Sequence, residues 1–249
     1  MNEINNEFYN DLGQEWLDRS DHPVALLRAE NQLRAPWISE EVKKQVGSHA
    51  KILDVGCGAG FLTNHLSLNG FDTTGIDLSQ SSLDVAQQSD TTKKVNYHHA
   101  NAYSLPFENE SFDVVCAMDI LEHVEVPSLL IAEASRVLKP DGLFFFHTFN
   151  RNFLSYMLII KGVEWFVRNT PQNLHVYPLF IKPEELEEHL TTYKLKATTW
   201  HGFKPKIFNR SLVELLTTRK VPKSFSFEFS KSLMTGYCGI AVKHLKYLT

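Results

Sequence analysis

The run Leu53-Asp54-Val55-Gly56-Cys57-Gly58-Ala59-Gly60 sets three glycines at alternate positions behind a short apolar stretch. Without a Cβ, such residues turn tightly and let a ligand approach bare backbone. Asp77 follows 21 residues after Gly56, at the end of the next apolar stretch. A carboxylate in that place can accept both hydroxyls of a ribose, so the loop and the acid together make a grip for a nucleoside. Farther on, Asp119, Glu122 and His123 bring two carboxyls and an imidazole close together in the chain. That mixture of oxygen and nitrogen donors suits a hard or borderline divalent ion able to hold and ionise a hydroxyl; the imidazole alone could instead pack or act as a general base. His147, near the end of a later apolar run, is a second candidate base.

Positioning these groups takes strands that end where they stand. Ala50 to Val55, Asp72 to Ile76, Val95 to His99, Phe112 to Met118 and Leu143 to Phe149 read as strands, with helices at Phe61 to Asn69, Ser81 to Gln88 and Pro127 to Leu138 between them. This alternation predicts an α/β domain with a parallel sheet covered on both faces. Residues 1–48 read as a helical cap or lid, with Trp16, Leu26, Leu27, Leu33 and Trp37 on polar helices punctuated by Pro23 and Pro36. Residues 49–150 form the core and residues 151–182 an inserted helical segment. Residues 183–249 return to the sheet through a helix opened by Pro183 and strands at Lys194 to Trp200 and Gly236 to Val242, the last antiparallel.

The glycine spacing separates nucleoside ligands from one another. A dinucleotide fold uses G-x-G-x-x-G, whose third glycine packs helix on strand; here Phe61 fills that position and the glycines alternate as G-x-G-x-G. The arrangement resembles motif I of the class I S-adenosylmethionine-dependent methyltransferases. The resemblance implies a Rossmann-like sheet in which Asp54 anchors the loop, Gly56, Gly58 and Gly60 line the cofactor, and Asp77 takes its ribose. It also implies that Asn101 and Ala102 flank the adenine, ahead of the strand containing Asp113-Val114-Val115.

Met118-Asp119-Ile120-Leu121-Glu122-His123-Val124, Leu138-Lys139-Pro140-Asp141-Gly142 and Thr148-Phe149-Asn150-Arg151-Asn152 are similar to stretches of the ubiquinone-biosynthesis O-methyltransferases. So are Asn31-Gln32-Leu33-Arg34 and Phe180-Ile181-Lys182-Pro183-Glu184-Glu185-Leu186, and the likeness covers roughly Trp16 to Leu186. It implies methyl transfer to a phenol or catechol-type small molecule such as a ubiquinone precursor. Arg34 and Met118 become further cofactor contacts, Arg34 by pairing with the methionine carboxylate. Some members of the family use Mg2+ at the positions matching Asp119, Glu122 and His123. His123 is the expected base for a phenolic hydroxyl, whose pKa is about 10. The apolar segment from Phe153 to Phe180, including Tyr156, Met157, Trp165 and Phe166 beside Lys161 and Arg168, would wall a substrate or rest on a membrane surface. Aspartate at 119, where glutamate is usual, and divergence beyond Leu186 leave two alternatives open: a different small acceptor, or a cofactor-binding partner protein without turnover.

Composition closes off other classes. A chain of 249 residues suffices for one large domain, and its net charge of -4 lacks the basic excess of a nucleic-acid binder. Cys57, Cys116 and Cys238 have neither the number nor the spacing of a disulfide framework or a thiolate zinc site, which fits a cytoplasmic setting. Met1 to Gly13 lacks the pattern of a signal peptide, and no apolar run approaches the ~20 residues of a bilayer span. Nothing in the pattern fixes an oligomeric state.

Overall fold

The computed structural model describes residues 4–206 and 210–244. Two single turns, α1 (Phe8–Asp11) and α2 (Glu15–Asp18), lead into the long helix α3 (Val24–Gln45). This helix runs through Pro36, which the sequence had marked as a break. Proline forgoes one helical hydrogen bond, and burial of Ala35, Ile38 and Val42 against the sheet offsets the loss.

The core then alternates as expected: β1 (Lys51–Val55), α4 (Phe61–Leu68), β2 (Asp72–Asp77), α5 (Gln80–Ser89), β3 (Asn96–His99), β4 (Phe112–Ala117), α6 (Pro127–Val137) and β5 (Leu138–Phe149). The inserted segment is helical from α7 (Phe153–Ser155) through a π-helical stretch (Tyr156–Lys161) into α8 (Gly162–Phe166). After a 3-10 turn at Tyr177–Leu179 come α9 (Pro183–Thr192), β6 (Leu195–Pro205), α10 (Arg210–Thr218), β7 (Phe227–Ser230) and β8 (Gly236–Lys243).

The eight strands form one sheet in the order β3-β2-β1-β4-β5-β8-β6-β7. The first five are parallel, and β8 is antiparallel between β5 and β6, as the sequence predicts. Its central strands are apolar on both faces, as a doubly covered sheet requires. Alternate residues sort to opposite sides: Leu53, Val115, Ala117, Phe144 and Phe146 pack with Leu130 and Ile131 of α6 and Leu186 and Leu190 of α9. Ile52, Val114, Cys116, Leu143 and Phe145 pack with Ile38 and Val42 of α3 and Leu62 and Leu66 of α4. Each fully buried side chain of this kind contributes about 1.5–3 kcal/mol, so two such layers hold the strand ends rigidly in place. Strand order reverses between β1 and β4, and an open α/β sheet binds its ligands outside the strands' carboxyl ends at that point.

Candidate functional site

A cavity of about 500 Å³ opens there. Arg34, Asp54, Gly56, Gly58, Asp77, Asn101, Ala102, Met118, Asp119 and His123 all border it, whereas Gly60 and Glu122 do not. Gly56 leaves β1 at φ +73°, and a Cβ on it would stand 2.5 Å from Ile120 Cδ1, so a side chain here would be strained and would displace Ile120. Gly60 has a different task from the cofactor-lining one expected of it. It opens α4 at φ +76°, where a Cβ would strike Tyr97 Oη at 2.5 Å and Ala86 Cβ at 2.8 Å, so its bareness serves packing.

The Asp77 carboxylate accepts the Gly58 N–H through Oδ2 and the Ser79 N–H through Oδ1, both at 2.8 Å. A carboxylate offers about four lone pairs, so roughly two remain toward the cavity. Burial raises the Asp77 pKa and these backbone donors oppose the rise. Asp54 is buried and accepts the Thr63 hydroxyl at 2.6 Å; burial still pushes it up to about 7. Asn101 Oδ1 accepts the Tyr103 N–H at 2.9 Å, closing the turn at the cavity edge beside Ala102.

Asp119 follows β4 in the left-handed region, at φ +60°. Its partners hold it there. Arg34 Nη1 donates to Oδ1 at 2.7 Å and Nη2 donates to Oδ2, while Glu30 Oε2 lies 3.3 Å from Nη2. The guanidinium also sits 5.3 Å over the Phe203 ring. Burial alone would raise the Asp119 pKa, but Arg34 and His147 together hold it well below the usual carboxylate range. Burial pushes Glu30 up to about 8, so Asp119 carries the negative charge opposite Arg34 at neutral pH. Arg34, expected on the cofactor's carboxylate, is thus engaged by Asp119. His147 is fully buried and does not border the cavity. Its Nδ1 lies 2.5 Å from Asp119 Oδ1. It supports Asp119 and cannot reach a bound acceptor.

Asp119, Glu122 and His123 do not converge as one ligand set. Among the described residues, donor atoms within 4.8 Å of one another form two groups, Glu122 with His123 and His175, and Asp119 with Glu122 and His147. Glu122 belongs to both; it is fully buried and neither oxygen has a hydrogen-bond partner. Burial, then the nearby Asp119 charge, push it up to about 8, so at neutral pH it is a protonated carboxyl. His123 stands in the single turn Leu121–His123. Burial lowers it to about 4, against the pull of Asp119, and the same cause lowers His175 to about 3. Both rings are neutral at pH 7, with centroids 5.4 Å apart.

The sequence missed three contributors. Asn6 hydrogen-bonds His123, and Tyr9 and Trp16 stack 5.5 Å apart over the glycine loop. All three border the cavity, which makes the cap's first residues one of its walls. Trp16 was legible as an apolar position; nothing local marks Asn6 or Tyr9, whose partners lie far along the chain. His175 sits in a loop whose placement beside His123 is equally non-local.

A methyltransferase-domain family matches residues 53–146. The ubiquinone biosynthesis O-methyltransferase of Pseudomonas putida strain F1 is 40% identical over 178 residues, 70% of this chain and 75% of that protein. That of Aromatoleum aromaticum is 35% identical over 185 residues, 73% of this chain and 77% of that one. Among solved structures, a SAM-dependent methyltransferase of Thermotoga maritima aligns with a TM-score of 0.63 at 16% identity, over 95% of this chain and 99% of that one. The magnesium protoporphyrin IX methyltransferase of Synechocystis, solved with SAH bound, aligns at 0.59 and 16% identity, over 86% and 83%. Those two likenesses show the shared fold, and the closer sequence relatives settle the family. The chain belongs to the ubiquinone biosynthesis O-methyltransferases and is an S-adenosylmethionine-dependent methyltransferase.

Proposed function

We propose that this enzyme methylates a hydroxyl on a phenol or catechol-type ring, the acceptor being a ubiquinone precursor as in the names of its relatives. The observation that carries the reading is a single cavity joining a nucleoside grip, Asp77 and the bare loop at Gly56 and Gly58, to a neutral imidazole, His123. The cofactor fits those residues: Asp77 keeps acceptor capacity for ribose hydroxyls, and Asp54, Asn101, Ala102 and Met118 complete the wall. S-adenosylmethionine supplies a methyl group on a sulfonium; the acceptor oxygen bonds to carbon as the carbon–sulfur bond breaks, and that electron pair stays on sulfur. The protein's part is to align the oxygen, exclude water and take the proton. Tyr9, Trp16, Phe61, Leu62 and Met118 give the cavity apolar walls, and His123 is the residue that receives the proton.

Mg2+ shared by Asp119, Glu122 and His123 does not fit. Both Asp119 oxygens are engaged by Arg34, whose charge repels a cation, and the converging groups bring imidazole nitrogens where magnesium favours an octahedral shell of oxygens.

A polyprenylated acceptor would be met at a membrane surface. Phe153, Leu158 and Trp165 are 75%, 52% and 53% exposed on the inserted helical segment, an apolar face that fits such a role. No helix among the described residues is long and apolar enough to cross a membrane. The test is turnover of a panel of phenols and catechols with labelled S-adenosylmethionine, with and without anionic vesicles. Methylation of hydroxylated rings is the expected result; a protein that binds S-adenosylhomocysteine yet methylates none of them removes this reading.

A further inference from the structure

We infer that Asn6 is a positioning residue for methyl transfer: it fixes the tautomer of His123 and ties that imidazole to the N-terminal segment lying across the cavity. The inference rests on the proposed role of His123. Asn6 Nδ2 donates to the His123 carbonyl oxygen at 2.9 Å. A carbonyl can only accept, so this bond sets which end of the amide is which. Asn6 Oδ1, left facing His123 Nδ1 at 3.1 Å, can in turn only accept, so Nδ1 must carry the ring proton. In a neutral imidazole the lone pair then sits on Nε2, the atom required to take the acceptor's proton. A solvated histidine side chain favours the other tautomer, with its proton on Nε2, which leaves no lone pair there to take a proton.

The same segment touches the cofactor loop. Tyr9 stands edge-on to His123, ring centroids 5.9 Å apart, and stacks on Trp16. The Trp16 ring lies 3.2 Å from where a Cβ on Gly58 would be, and its indole N–H donates to Ser82 Oγ at 3.2 Å. Ser81 Oγ donates to the Asn10 carbonyl at 2.7 Å, so α5 anchors the strap from the other side. One short stretch therefore bridges the glycine loop and the base, and the base is correctly protonated only while that stretch is in place. Asn6 itself is exposed, so replacing it disturbs no core.

Among the described residues, the ionisable groups facing His123 are Tyr9 from the N-terminal segment, Asp119 and Glu122 from the turn after β4, and His175 from the loop before the 3-10 turn. The experiment is 15N NMR of the His123 ring in full-length protein saturated with S-adenosylhomocysteine, paired with steady-state kinetics, for wild type, Asn6→Ala and Asn6→Asp. Wild type should show the proton on Nδ1. Asn6→Ala should move it substantially to Nε2 and lower kcat about tenfold, with KM for S-adenosylmethionine within twofold. Asn6→Asp still accepts from Nδ1–H, so it should restore the tautomer and most of kcat. Its carboxylate should also move the acid limb of the kcat profile to higher pH by stabilising the imidazolium. Titration with S-adenosylhomocysteine confirms that each variant is folded. A wild-type proton on Nε2, an Asn6→Ala protein with unchanged tautomer, or a loss of kcat that Asn6→Asp fails to restore would each overturn the inference. Should no phenol be methylated at all, the ring spectra still decide the tautomer assignment separately from the proposed reaction.

Discussion

Replacing Asp119 by asparagine probes the buried charge pair that supports the site. Asparagine tolerates the left-handed backbone at this position, so the change removes charge with little added strain. The Arg34 and Asp119 side chains are 4% and 15% exposed, and leaving one partner of such a pair uncompensated costs about 3–5 kcal/mol. Glu30 limits the loss, because it lies 3.3 Å from Arg34 and can ionise in place of Asp119. Its carboxyl is raised by burial and in part by the Asp119 charge itself, so losing Asp119 eases its ionisation, and a higher pH eases it further. Asp119 itself, held below its unfolded value, contributes fully above about pH 4 and fades only as pH falls toward its folded pKa. Asp119→Asn should therefore lose more stability in urea melts at pH 5.5, up to about 3 kcal/mol, than at pH 8.5. A double-mutant cycle with Arg34→Met should give at least about 2 kcal/mol of coupling at the lower pH. Additive effects, or a loss that ignores pH, would refute the pairing and return Arg34 to the cofactor.

If Asp77 accepts both ribose hydroxyls as proposed, Asp77→Ala removes two charge-assisted bonds, each worth about 1.5–3 kcal/mol, so calorimetry should find S-adenosylhomocysteine bound at least about 100-fold more weakly. Affinity equal to wild type would dismiss the ribose assignment. Gly60→Ala places a methyl against Tyr97 and Ala86 at a positive φ and should cost about 2–4 kcal/mol in thermal or urea melts, with affinity for S-adenosylhomocysteine nearly unchanged. Stability intact with affinity lost would make Gly60 a cofactor contact after all.

The parts of the molecule legible in the sequence are those fixed by neighbours in the chain. Strand β1, the glycine loop and helix α4 follow from a continuous apolar run, residues lacking Cβ and a helical period, all within Lys51–Leu68. Strand β7 also carries a local signal: Phe225, Phe227 and Phe229 alternate with Ser226 and Glu228, the period of a half-buried strand, and Phe227 to Ser230 pair with β6. The rest of the site is set by distance. Arg34 looks like a solvated residue on an amphipathic helix until Asp119, 85 residues on, closes around it. Asn6 and His123 meet across 117 residues, and neither carries a local mark of the other. Asp119, Glu122 and His123 look like one ligand set because they are close in sequence, yet the sharp turn at Asp119 sends its carboxylate to Arg34 and leaves Glu122 and His123 facing His175.

Proton removal is where burial and chemistry oppose each other. As the proposed base, His123, lowered to about 4, would act on a phenol near 10, so a complete proton transfer ahead of methylation would run uphill by about 8 kcal/mol. As the carbon–oxygen bond forms, positive charge gathers on the oxygen and its proton becomes far more acidic. A neutral imidazole with a low pKa therefore serves if the proton leaves in step with the methyl group's arrival. Glu122, within 4.8 Å and raised to about 8, changes that balance with pH, since its anion stabilises the imidazolium and strengthens the base. In wild type kcat should be flat from pH 5.5 to 7 and step upward near pH 8; Glu122→Gln should abolish the step. The same carboxyl, protonated when folded and ionised when unfolded between about pH 4.3 and 8, makes stability fall as pH rises through that window, and the glutamine variant should flatten the fall. A single limb near pH 6.5, unaltered by Glu122→Gln, would mean a solvated imidazole titrating alone, and burial would then have no part in setting the base.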